Sequence, residues 1–535
     1  MILVILPTAI TNSISNQCAG SDMQRSAIVE RAFWISLCFA SGALLRAVPE
    51  TLLPGIPVGF DTVTYLASTV HLWLKAGIGW TYAFQEGPIV YLLVYLPAFA
   101  GADLFLVLKV LGPLFYGVFA IGAILFIKEN FSLSWSHSFL GSLFVILQVV
   151  NLRFGWDLWR NLLGLTLVLL MLATWHYGSH LLPITIGLSV MTVLTNQFAA
   201  VTLFSASAIA LGLGALRHRT RAVGLALLPA FTLFIANLYV VYFINAPISQ
   251  NVILALQARG HFANYVSQFG SPFNFWNSFL SFGTFALGLL PLLALIGLNK
   301  EKEIAALCLA TLAFATWSPI FPTAGLPQWW RWVLDLGLVL SFYGFYAILR
   351  IGGLGSQLLG RVARFASWRP AIRTAIVVIL ILPFGVQAMS YISSPPSQPA
   401  AAFVDPQWNI YLPKTLVGTS INPDDVPTAV QAVAWLTANA PSGSVVLVEE
   451  RFMGWALLNL ESDVIVVVYR VHSSLDDVLT TALPRADGKP IFLIWLSGHE
   501  VQGFVERQTF GNIAVFEYKT NLADAMLSDL QFVDD

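Results

Sequence analysis

The residues in this sequence whose types suit chemistry are a few carboxylates, a group of arginines and the tryptophans beside them. Asp61 follows Gly59 and Phe60 in a stretch, residues 53–65, broken by Pro54, Gly55, Pro57 and Gly59. It stands at the start of an amphipathic segment whose apolar residues include Tyr65, Leu66, Val70, Leu72, Trp73 and Leu74. There a carboxylate can cap the free N–H groups of a helix, or serve as a general base or metal ligand. Asp157 lies in a second polar turn with Arg153, Trp156, Arg160 and Asn161. Asp157 and Arg160, three residues apart, share a helix face and can simply pair, but Arg153 makes the turn basic. Together, Asp61 and Asp157 could hold one Mg²⁺ or Mn²⁺, ions that favour few carboxylates plus substrate phosphate oxygens. Arg331 sits among Trp329, Trp330 and Trp332. Its guanidinium is a permanently charged bidentate donor suited to phosphate, although an arginine in an interfacial tryptophan belt can also merely snorkel. Glu86, just before Gly87 and Pro88, and His261 are weaker candidates, with a solvent carboxylate and a loop histidine as the plain readings. Asn196 and Gln197 read as a polar break between two apolar runs.

The elements that must position these groups are membrane spans. Of 535 residues, 57% are hydrophobic and 10% charged, with mean hydropathy +0.75. A soluble chain carries about a quarter charged residues, so the sequence specifies a polytopic α-helical membrane protein. The net charge of −1 points to no nucleic-acid partner. Three cysteines, Cys18, Cys38 and Cys308, give neither a disulfide framework nor zinc spacing. Residues 1–27 lack a basic stretch ahead of their apolar start and read as a leader or a mis-assigned start, with Met23 the more natural one.

Runs long enough to cross a bilayer of about 30 Å fall at 28–48, 104–127, 134–150, 158–176, 180–195, 197–216, 221–243, 279–297, 303–318, 331–349 and 372–390, about eleven transmembrane helices. The basic loops carry Arg217, Arg219 and Arg221, Lys300 and Lys302, and Arg350, Arg361, Arg364, Arg369 and Arg373; Lys128 marks another, and Arg25 and Arg31 the N-terminus. If basic loops face the cytoplasm, the run 87–100 does not cross. It belongs instead to a first external loop, 49–103, in or near the outer interface. The N-terminus is then cytoplasmic and the C-terminus extracytoplasmic. All the candidate residues fall on the outer side, His261 in an external loop 244–278.

Residues 391–421 read as a linker, and 422–535 as a small external α/β domain. Helices are expected at 427–439, 452–460 and 475–483, and strands at 444–449, 464–469, 490–496 and 513–518. That alternation implies a parallel sheet with right-handed crossovers.

The first external loop, with Gly59-Phe60-Asp61 and Tyr65, resembles that of the GT-C superfamily of polyprenyl-phosphate-sugar glycosyltransferases, which includes the oligosaccharyltransferase catalytic subunit and the protein O-mannosyltransferases. The segment Gly87-Pro88-Ile89-Val90-Tyr91 is similar to the family's Pro-Pro-Leu-x-Tyr, and Trp330-Arg331-Trp332 resembles its late-span arginine. In the external domain, Trp435-Leu436, Asn439-Ala440-Pro441 and Phe452-Met453-Gly454-Trp455 resemble uncharacterised archaeal members. The resemblance implies a GT-C-like membrane domain over 28–390, with Asp61 and Asp157 catalytic and a tentative metal pair. Arg331, Arg160 and Arg153 would bind donor phosphate, and Tyr65, Glu86, Trp156, His261 and Trp330 would contact substrate. The family's WWDYG signature is missing, and Asp157 is a single acid where the family has a pair.

The implied reaction is inverting transfer of sugar from a polyprenyl- or dolichyl-phosphate donor to a protein, glycan or lipid acceptor at the outer face of the plasma membrane. The partners are then membrane lipid and the lipid-linked sugar. A transporter or lipid flippase would instead place ionisable residues within its spans and repeat its architecture; the spans carry almost no evident mid-depth charge. A non-catalytic scaffold with an external binding domain would tolerate loss of Asp61.

Overall fold

A computed structural model describes residues 21–52, 55–59, 61–77, 83, 87–156, 158–214, 220–239, 264–298, 301–326, 328–359, 368–393, 425–460, 464–469 and 475–519. Asp157, Glu86 and His261 lie outside these residues, as do most of the expected leader, most of the linker and the start of the 244–278 loop.

The membrane part begins with α1, Ser21–Leu52. A π-helical turn, Thr62–Ala67, runs into α2, Ser68–Ala76. Then come α3 (Pro88–Phe99), α4 (Leu104–Phe131), α5 (Trp135–Ile146), α6 (Val149–Trp156) and α7 (Trp159–Thr174). After a 3₁₀ segment, Trp175–Leu181, follow α8 (Leu182–Thr195), α9 (Gln197–Gly212) and α10 (Thr220–Tyr239). The remainder is α11 (Tyr265–Phe269), α12 (Pro272–Leu287), α13 (Leu290–Gly297), α14 (Lys302–Ile320), α15 (Trp329–Leu359) and α16 (Arg369–Ser393).

Among the described residues, five helices are long and apolar enough to span a membrane, or six if α5 and α6, bent by 70°, form one span. Shorter apolar helices, α7 to α9 among them, complete the bundle. Two expectations shift. The run 134–150 does not end in an open turn; Leu147 and Gln148 break the helix and α6 carries on at an angle. The run 279–297 is split where Gly288 takes φ +50°, which L side chains rarely adopt. The segment 87–100 is helical for twelve residues, about 18 Å at 1.5 Å per residue, too short for a bilayer.

The C-terminal domain holds α17 (Val426–Asn439), β1 (Val445–Glu449), α18 (Glu450–Asn459), β2 (Ile465–Tyr469), α19 (Leu475–Ala486), β3 (Ile491–Leu496), β4 (Phe504–Phe510) and β5 (Ile513–Tyr518). The sheet order is β2-β1-β3-β5-β4, with β1 parallel to β2 and β3. Strand β1 is buried throughout, as its unbroken Val445-Val446-Leu447-Val448 run requires of a parallel strand covered on both faces. The sheet is mixed, not parallel as expected. β5 runs antiparallel to β3 and β4; the two-residue turn at Gly511 and Asn512 can join β4 to β5 only as an antiparallel pair. β4, with its mostly exposed pattern, gave no hydrophobic signal to read.

Candidate functional site

Asp61 precedes the π-helical turn with helical backbone angles and makes no side-chain cap. The capping alternative therefore fails. The carboxylate instead meets Arg331, with Nη2 donating to Oδ2 at 3.5 Å. Arg331, in the first turn of α15, also donates through Nη1 to Asn161 Oδ1 at 3.5 Å. These contacts are at the long end of hydrogen-bond geometry. Asn161 Oδ1 also accepts from Asn196 Nδ2 at 3.1 Å. Asn196 breaks α8 from α9 in extended geometry, and its Oδ1 caps Ala199 N at 3.0 Å. The helix break and the site thus use one residue.

Asp61, Tyr65, Leu66, Val90, Tyr91, Leu158, Trp159, Arg160, Asn161 and Arg331 line a small open cleft. Arg160 lies over the Tyr91 ring at 5.8 Å. Gly87 sets that ring: with φ +118°, its missing Cβ would fall 2.2 Å from the Thr195 carbonyl oxygen. Only glycine lets α3 start against the end of α8. Trp330 stacks with two cations, Arg153 at 5.5 Å and Arg331 at 5.1 Å, a geometry that holds guanidinium groups close together despite their repulsion.

The sequence-derived residues separate into three groups. Asp61, Tyr65, Arg160 and Arg331 share the cleft. Arg153 and Trp330 lie behind it, Arg153 buried and Trp330 half-buried. Trp156, expected to contact substrate, is fully buried with its ring under Arg46 at 5.0 Å. It is part of the scaffold and not of the cleft wall. Asp157 lies between Trp156 and the cleft residue Leu158 in sequence, outside the described residues.

Sequence reasoning missed Asn161, Asn196 and Asp335 as a connected polar system around Arg331. Asp335 is the clearest correction to the expectation of spans almost free of charge. It lies one helical turn past Arg331 on α15, 1% exposed, in electrostatic range of that guanidinium. Neither of its oxygens has a hydrogen-bond partner among the described residues. The i, i+4 spacing of Arg331 and Asp335 was the available signal.

The C-terminal domain packs on the same turn. Gly454 in α18 packs so tightly on the π-helix that a Cβ would lie 2.8 Å from Thr64 Cα and from Val63 O. Val63, Val426 and Trp455 form a buried cluster, with Ile56, Phe105 and Leu458 packed against it. Trp455 meets Phe105 of α4 edge to face at 6.0 Å. The Gly454-Trp455 pair singled out in the sequence is therefore where the C-terminal domain rests on the turn after Asp61.

The donor set fits an anion better than a metal. Among the described residues that line the cleft there is one carboxylate, already facing a guanidinium, and two arginines. No group of three or more His, Cys, Asp or Glu side chains with metal-site geometry occurs among the described residues. A cation bridging Asp61 and Asp157 rests on a residue outside them.

No family model matches the sequence, and no curated protein matches it. Among solved structures, this fold is similar to a crystal structure of ArnT from Cupriavidus metallidurans bound to undecaprenyl phosphate. The similarity has a TM-score of 0.50 at 10% identity, covering 93% of this chain and 99% of that one. The fold is ArnT-like. A crystal structure of the same protein in the apo state aligns with TM-score 0.46 at 12% identity, over 92% of this chain and 99% of that one. Neither identity carries residue roles from one protein to the other.

Proposed function

We propose that this protein is a membrane glycosyltransferase that takes a sugar from a polyprenyl-phosphate donor at the extracytoplasmic face. The observation that carries the reading is the Asp61–Arg331 pair, open to a cleft that also holds Arg160 and Asn161. A carboxylate and guanidinium groups facing one cleft are what sugar transfer from a phosphate needs. As the anomeric C–O bond to phosphate breaks, negative charge grows on the leaving phosphate, and Arg331 and Arg160 are placed to take it up. The acceptor oxygen forms the new bond to the anomeric carbon, and its proton passes to the Asp61 carboxylate. With one base and no covalent intermediate, the configuration inverts. Incoming phosphate competes with Asp61 for Arg331, and the 3.5 Å contact makes that exchange easy. The similarity to a fold solved with undecaprenyl phosphate supports a polyprenyl-phosphate ligand. No step in this scheme runs through a metal.

The test is incubation of purified protein with polyprenyl-phosphate and polyprenyl-diphosphate sugars, following sugar release, with and without chelator. Release from one donor, lost in Asp61→Asn, is expected. Equal release by wild type and Asp61→Asn would favour the scaffold reading instead. The orientation is tested with impermeant thiol reagents: a cysteine at Glu500 should label from outside and one at Lys128 should not.

A further inference from the structure

We infer that Arg46, Glu50 and Lys109 form a buried ionic frame that positions the Asp61 loop against the Trp159–Asn161 wall of the cleft. The inference rests on the reading of that cleft as a transfer site, and none of the three residues lines it.

Arg46 and Glu50 are one turn apart near the end of α1, 0% and 5% exposed, and pair through Nη1 and Oε1 at 2.7 Å. From that point the frame reaches two other segments. Arg46 Nε donates to Gly155 O at 2.7 Å and Nη2 to Trp156 O at 3.4 Å. The same two carbonyls accept from Trp159 Nε1, each at 3.2 Å. Arg46 is thus tied to the end of α6 and, through shared acceptors, to the first residue of α7. On the other side, Glu50 Oε2 accepts from Val58 N at 3.4 Å. Lys109 Nζ, from α4, donates to Glu50 O at 2.8 Å and Ile56 O at 2.9 Å, and pairs with Glu50 Oε2 at 3.3 Å. Asp61 follows Val58 by three residues, and Asn161 follows Trp159 by two. One cluster therefore fixes both approaches to the cleft.

Local sequence alone would not hold this loop. Residues 55–59 have no regular secondary structure, and Gly55 and Gly59 both take positive φ. Buried ion pairs are rarely chosen for stability, since desolvation offsets much of their attraction, but they hold geometry that apolar contacts leave free to slide. Misplacement of a reacting group by about 1 Å can cost a factor of about 10² in rate. Arg46, Glu50 and Lys109 act through others and are positioning residues.

The experiment uses the full chain in lipid nanodiscs and three variants: Glu50→Gln, which keeps an acceptor for Val58 N but loses the charge; Lys109→Met, which removes the tie to Ile56; and Lys109→Arg, which keeps the charge. Two readouts are taken: hydrogen exchange of residues 55–67, and kcat and KM for donor. Lys109→Met should speed exchange in 55–67 by about tenfold or more, with the external domain unchanged. In the same variant kcat should fall roughly 10²-fold while KM for donor stays within about threefold. Glu50→Gln should shift both readouts in the same direction, and Lys109→Arg should recover most of each. Wild-type exchange in 55–67 in both Glu50→Gln and Lys109→Met would overturn the frame. Should Lys109→Met fail to fold, Glu50→Gln decides by the same criterion. Wild-type protein that transfers no sugar would overturn the proposed function, while the exchange readout would still decide whether the frame holds the loop.

Discussion

Arg46, Glu50 and Lys109 on one side, and Asp61 and Arg331 on the other, use the same residue types to opposite ends. In the first group the ionic and hydrogen-bonded contacts lie between 2.7 and 3.4 Å, and Arg46 and Glu50 are almost wholly buried. In the second, Arg331 meets both Asp61 and Asn161 at 3.5 Å, and the Asp61 side chain is 21% exposed to the cleft. Charges with every partner at short range have nothing left to offer a ligand. Charges held loosely at the rim of a cleft can exchange one partner for another at small cost. The difference separates the charges that build the protein from those available for chemistry, and each experiment below presses on one side of it.

Asp61→Asn should have the largest effect. The amide keeps the shape, and the residue makes no cap whose loss would matter. Sugar transfer should fall by about 10²–10⁴-fold, the usual range for a lost general base, with the melting temperature within about 3 °C of wild type, since the amide keeps an acceptor for Arg331 and the contact it replaces is a long one. A large drop in melting temperature with transfer retained would move Asp61 into the structural group and end the contrast.

Arg331→Lys comes next. It keeps the charge and loses the planar fork that reaches Asp61 and Asn161 together. Weakened charged hydrogen bonds of about 1.5–3 kcal/mol imply a loss of roughly 10- to 100-fold in kcat/KM for donor. Steady-state kinetics across a donor titration reads it, and a lysine variant as efficient as wild type would mean that simple charge suffices there.

Gly454→Val tests whether the C-terminal domain matters to the turn it packs on. The added side chain meets Thr64 Cα and Val63 O, and overpacking of this kind costs about 1–3 kcal/mol. The C-terminal sheet should keep its own melting behaviour, while limited proteolysis should show the domain loosened and transfer reduced severalfold. Unchanged proteolysis and transfer would show that the close fit does not constrain the turn.

How much of this was legible before the structure follows from the range of each signal. Apolar runs fix helices by local composition, so the expected spans reappear as helices among the described residues, two of them split, and the 87–100 run, expected not to cross, is a short helix. Asp61, Tyr65, Arg160 and Arg331 were readable because charged and aromatic residues at breaks between apolar runs are conspicuous. What stayed hidden depends on partners far away in sequence. Arg46 and Glu50 look like ordinary charges at the end of a span until Lys109 and the Gly155 and Trp156 carbonyls are seen beside them. Trp156 has the same aromatic character as Trp330, and only packing puts one under Arg46 and the other beside Arg331. Strand β4 was missed because an edge strand with mostly exposed residues has no alternation to read.

Asp335 tests the comparison most finely because it belongs to neither group: it is as buried as Glu50, yet no hydrogen-bond partner meets its oxygens among the described residues. As a carboxylate, Asp335 would be a second counter-charge to the Arg331 guanidinium one turn before it. An incoming lipid phosphate would displace Asp61 from Arg331 but not this buried group. A charge on Asp335 would therefore weaken phosphate binding at all times, and most for the released lipid phosphate monoester, which carries more negative charge than the diester donor. Asp335→Asn preserves volume and removes that charge. Donor KM and the inhibition constant for polyprenyl phosphate should both fall, the latter by roughly fivefold, the scale of a charge interaction of about 1 kcal/mol. Slower release of the tighter-bound product should lower kcat as well. A variant damaged only in packing would raise KM or leave it alone, so the direction separates the two explanations. Product inhibition identical to wild type would mean that Asp335 carries no charge felt by the cleft.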